Sequence, residues 1–111
     1  MTEYEGNPTI TRIELEMPRL IGNQKQVEHL FNVQEIPKDL TGETVYLLAR
    51  ALHFSPSLVA DEIIRLLQVR NAERVLIYGS PEDFTEVLFE AAERRGYNGL
   101  SEGTEEELRL P

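Results

Sequence analysis

The chain contains no cysteine, which excludes disulfides, thiol nucleophiles and zinc–thiolate sites. Lysine is nearly missing too: Lys25 and Lys38 are the two in 111 residues. With 20 acidic residues against 11 basic ones the net charge is −9. Neutralising nucleic-acid phosphates needs clustered Lys and Arg, so direct nucleic-acid binding is not expected, nor is docking on anionic membranes. No apolar run approaches the roughly 20 residues that cross a bilayer. Met1 to Pro8 is acidic and polar and lacks both the basic and the apolar region of a secretory signal. A cytoplasmic location is expected on these grounds. A phosphate loop is lacking as well: Gly42 stands alone, and Gly79-Ser80-Pro81-Glu82-Asp83 does not end in Gly-Lys-Ser/Thr. There is no internal repeat and no low-complexity linker.

What is present describes one small folded domain. A hydrophobic content of 41% and a charged content of 28% are ordinary for a globular chain, so a core is expected. The charge is uneven: residues 1–40 carry a net −3, residues 41–79 balance, and residues 80–111 carry −6. The expected organisation is an N-terminal arm (1–8), a single α/β domain (9–100) and an acidic C-terminal tail (101–111), whose residues either fray or add one edge segment.

Thr11, Ile13, Leu15 and Met17 alternate with charged residues, the period of a half-buried strand ended by Pro18. Gly22-Asn23-Gln24 reads as a turn, and Leu30, Phe31, Val33 and Ile36 predict a second strand over 29–36. Thr44 to Ala49 fits a central strand covered on both faces. Val45, Leu48, Ala49 and Leu52 also fit one helical face, and periodicity does not separate the two for so short a run. Ser55 followed by Pro56 predicts a helix start, with Val59, Ile63, Leu66 and Leu67 as its apolar stripe and Asp61 paired with Arg65 at i,i+4. Val75-Leu76-Ile77-Tyr78 reads as a buried parallel strand. Ser80 is the expected cap of a last helix with Glu82 and Asp83 in its first turn and the stripe Phe84, Val87, Leu88, Ala91, Ala92. Arg94 and Arg95 suit its C-terminal dipole, and Gly96 suits its C′ position.

Few residues offer chemistry. His29 and His53 are far apart, and neither has a second ligand at metal spacing. Each is expected to be a partly exposed histidine. Asp61 and Glu62 are consecutive, so on a helix they project in different directions and do not form an acid/base pair. Ser55 is explained by capping. Ser57, near the second helical position, has no such obligation, and no acid precedes Asp61 in that first turn. A phosphate there would meet a favourable helix dipole.

The order of an apolar run, Ser55-Pro56-Ser57-Leu58-Val59-Ala60-Asp61-Glu62-Ile63-Ile64, then Glu73-Arg74-Val75-Leu76-Ile77-Tyr78 and a further helix resembles the STAS-like domains, relatives of the anti-sigma-factor antagonist fold. The resemblance covers residues 43–95 and rests on Ser55, Ser57, Ala60, Asp61 and Glu62. It departs where the family has an acidic residue and a glycine in or after the strand and this chain has Leu47, Leu48 and Arg50. It favours the strand reading of 44–49 and implies a small sandwich, a mixed sheet of about four strands packed on two or three helices. It also implies a non-enzymatic regulatory or protein-interaction domain. No cofactor and no metal are implied, and self-association is left open. The partner would be a protein such as a kinase-like regulator, with Ser57, Ser55, Asp61 and Glu62 as the contact or phosphorylation site.

Two alternatives carry different expectations. A small-molecule-binding or minor enzymatic domain would place its site near His53, Ser55 and Ser80, at the carboxyl ends of the strands. An acidic inhibitor that mimics nucleic acid would gather the acids of 82–107 on one face.

Overall fold

A computed structural model describes residues 13–53 and 56–104. Among these, four strands alternate with three helices: β1 Ile13–Glu16, α1 Gln24–Val33, β2 Thr44–Leu48, α2 Ser57–Val69, β3 Arg74–Tyr78, α3 Glu82–Arg94 and β4 Leu100–Glu102. The strands lie in the order β1-β2-β3-β4, and every neighbouring pair is parallel. The class is α/β as expected, but the sheet is parallel rather than mixed. Each connection contains a helix, which returns the chain to the same end of the sheet before the next strand begins.

Residues 29–36, read as a strand, belong mostly to α1. Asn23 caps this helix: its side chain accepts from Gln26 N at 2.9 Å, while Gln26 Oε1 accepts from Gly22 N at 2.6 Å. The Asn-x-x-Gln pattern resembles a capping box, with the Gln26 side chain reaching the amide one residue before the cap. Val27 and Phe31 at i,i+4 are buried, whereas Val33, which suggested alternation, is 57% exposed. Of the run at 44–49, Thr44–Leu48 is the strand β2, in register with β1 and β3 on either side.

All three helices stop in the same way. Glu35, Asn71 and Gly96 take positive φ (54°, 63° and 67°) at C′. The following amides of Ile36, Ala72 and Tyr97 donate back to Phe31, Leu67 and Ala92 carbonyls at 3.0, 2.9 and 2.8 Å. These are Schellman turns, with an apolar residue after each stop folded onto its helix. Gly96 was the legible one.

Every crossover moves one strand in the same direction, so a common right hand puts all the helices on one face. Accordingly α1 packs on α2 and α2 on α3. Leu15, Val45, Leu47, Val75, Ile77 and Leu100 face the helices and form the core with Val59, Ile63, Leu67, Phe84 and Leu88. Each such buried aliphatic stabilises the fold by about 1.5–3 kcal/mol. On the other face, register aligns Glu14, Tyr46, Leu76 and Ser101 in one row and Glu16, Leu48 and Tyr78 in the next. There Tyr46 and Tyr78 stack with ring centroids 5.9 Å apart.

Ser101 and Glu102 are part of β4, an edge segment at the start of the acidic tail. Residues 1–8 and 105–111 lie outside the described residues. Among those described, no helix is long and apolar enough to cross a membrane.

Candidate functional site

Helix α2 starts at the carboxyl end of β2, so Ser57 lies on the rim where the strands end. Two loops are tied together there: His53 N donates to Arg19 O at 2.8 Å. Helix α2 begins one residue later than expected. Pro56 is its N-cap, no side chain among the described residues caps it, and Ser57 is its first helical residue. Ser55 lies outside the described residues. Ser57 is exposed, no acid lies in the first turn, and the neighbouring Leu58 is 51% exposed.

Asp61 and Glu62 do project in different directions, and each meets a different helix. Asp61 accepts from Arg95 Nε and Nη2 at 3.1 and 2.8 Å, with Arg94 at 3.5 Å. Arg95 is thus a brace between α3 and α2, more than a complement to the α3 dipole. Glu62 is only 2% exposed and accepts from Arg65 Nε and Nη2 at 2.9 and 2.6 Å. Arg65 in turn reaches Glu28 of α1 at 3.6 Å. The expected Asp61–Arg65 pair is therefore replaced by Glu62–Arg65, because Asp61 is drawn toward α3. Hydrogen bonds from Arg95 hold the Asp61 carboxyl below the usual carboxylate range, against an opposing effect of burial. Those from Arg65 do the same for Glu62.

Ser80 does not cap α3. Pro81 occupies the N-cap position, and the Ser80 hydroxyl donates to Pro81 O at 3.2 Å. His29 and His53 are both exposed. Among the described residues no three His, Asp or Glu side chains converge as metal ligands would.

Two grooves flank the sheet. One, of about 540 Å³, lies beside β1 and is lined by Glu16, Leu30, Gln34, Leu48 and Arg50 among others. The other, of about 660 Å³, lies beside β4 and is lined by Ser80, Glu82, Glu86, Phe89, Glu90 and Glu102 among others. Neither is lined by His53, so the His53–Ser80 grouping is not brought together in them. The second groove was half-legible: Glu82, Glu86 and Glu90 recur at i,i+4,i+8, one face of a helix. Glu102 joins them only because β4 docks beside β3.

No protein-family model, curated protein or solved structure matches the chain significantly.

Proposed function

We propose that this chain is a non-enzymatic protein-interaction domain of the STAS-like kind. Its docking surface is the start of α2, and phosphate on Ser57 switches the contact. The observation that carries the reading is the exposed Ser57–Leu58 pair at a helix start with no first-turn acid and, among the described residues, no side-chain cap. Leu58 offers apolar area to a partner. A phosphate on Ser57 would add nearly two negative charges at the positive end of the helix dipole and acceptors for first-turn amides. It would also set that charge against whatever partner surface covers Leu58. Asp61 and Glu62 serve this surface indirectly, by fixing the direction of α2 through its two neighbours.

The partner class is a protein, and a kinase-like regulator is the one that would both recognise and modify the site. The test compares capture from the native host by the unmodified chain, Ser57→Asp and Leu58→Glu, with mass spectrometry of Ser57. Loss or exchange of one captured protein in both variants is expected. Equal affinity of all three chains for every captured partner would sink the reading.

A further inference from the structure

The two outer strands of the sheet present different edges. Met17 N donates to Leu48 O at 2.8 Å, so Ile13, Leu15 and Met17 pair with β2 while Glu14 and Glu16 point outward. At Glu16 the edge is occupied: its N–H donates to Gln34 Oε1 at 2.8 Å, and its carbonyl accepts from Gln34 Nε2 at 2.8 Å. The Gln34 amide takes the place of a neighbouring strand's peptide group, so another strand cannot run past Glu16.

At β4, Val75 N donates to Gly99 O at 2.8 Å and Gly103 N to Ile77 O at 2.9 Å. Gly99, Ser101 and Gly103 therefore face β3, and the N–H and C=O groups of Leu100 and Glu102 point outward. Among the described residues nothing bonds to these groups. This edge also borders the 660 Å³ groove. Glu102 is in register with Ile77, so its side chain falls on the helix face, where Glu82, Glu86 and Glu90 descend from α3. Among the described residues none of the four carboxylates has a cationic partner. Phe89, partly exposed, supplies an apolar seat among them.

We infer that the β4 edge takes an extended, basic peptide segment of a partner protein as a fifth strand. Backbone groups of the segment pair with Leu100 and Glu102. Its side chains on the helix face alternate between Lys or Arg, met by the carboxylates, and an apolar residue, met by Phe89. A second copy of this chain is the less suitable occupant: a two-fold β4–β4 pairing would bring two such acidic sets into one interface, where like charges repel. This surface is separate from the start of α2.

The test uses the full chain and a short synthetic peptide of the pattern Lys-Ser-Val-Ser-Lys-Ser-Val, which puts lysine and valine alternately on one face of a strand. Micromolar binding that weakens steeply with salt is expected, with slowed amide exchange at Leu100 and Glu102 in the complex. The double variant Glu86→Lys/Glu90→Lys, at exposed helix positions where Tm should hold, should weaken binding about tenfold. A peptide N-methylated at alternate backbone positions keeps its charge but cannot pair, and should not bind. Equal binding of the methylated peptide would overturn the proposal, as would indifference to the charge reversal. Two further outcomes would also overturn it: protection of the Leu100 and Glu102 amides in the free monomer, or a β4-mediated dimer at micromolar concentration.

Discussion

The β1 and β4 edges pose the same physical problem, unpaired peptide groups at the end of a sheet, and the chain treats them differently. At β1 a side chain from α1 fills the hydrogen-bonding positions of Glu16. At β4 the strand is three residues long, and its flank is lined with carboxylates. The first device blocks any strand, whereas the second admits strands by charge. The difference extends into α2, whose adjacent acids serve opposite sides. Glu62, through Arg65 and Glu28, holds α1 and hence Gln34. Asp61, through Arg95, holds α3 and hence the wall of the acidic groove. Neighbouring residues on a helix point about 100° apart, so two consecutive acids can brace two flanking helices.

The largest disturbance is expected at Gly99. A Cβ there would press on the Glu73 carbonyl and on the Tyr97 hydroxyl, 2.7 Å away. Gly99→Ala should cost about 1–3 kcal/mol in denaturant titration and detach β4, removing the open edge from the comparison. Gln34→Leu comes next. It keeps the bulk but loses both bonds to Glu16, for about 1–2 kcal/mol, and opens the sealed edge. Sedimentation should show concentration-dependent association that the parent lacks.

The braces give smaller effects. Asp61→Asn should loosen only the α3 side and Glu62→Gln only the α1 side, each by about 1 kcal/mol, read as faster amide exchange on the affected helix. Both carboxyl groups have folded pKa values below their unfolded ones. Their contribution is therefore present above the unfolded carboxylate range and is lost as pH falls through the folded values. The double variant should show a flatter acid limb in thermal melts. The smallest effect at neutral pH is at Tyr97, whose hydroxyl donates to Ala72 O at 2.7 Å and whose pKa burial pushes up to about 12. The unfolded chain releases this proton near pH 10. The contribution is full below that value and lost as pH rises toward 12, and Tyr97→Phe should remove this alkaline slope.

Much of the second half of the domain was legible. The stripe from Phe84 to Ala92, the run Val75–Tyr78 and the stop at Gly96 each rest on a local rule. The first half was less so. Leu30, Phe31, Val33 and Ile36 suggest a strand only if all four are buried, and Val33 is exposed in the fold, while Asn23 and Gln26 mark the start of a helix. Ser57 is exposed and begins α2. The roles of Asp61 and Glu62 could not be read, because their cations come from Arg95, 34 residues away in sequence for Asp61, and from a choice of which acid Arg65 reaches.

By itself, the sequence determined the two amphipathic helices α2 and α3, the buried strand β3 between them and the acidity of the C-terminal third. These follow from periodicity, caps and composition, which act over a few residues. Tertiary structure alone decided that all strands are parallel, that two consecutive acids brace opposite helices, and that one sheet edge is plugged while the other faces carboxylates. Each of these depends on residues 18 to 34 positions apart being brought within hydrogen-bonding distance, which local pattern does not encode.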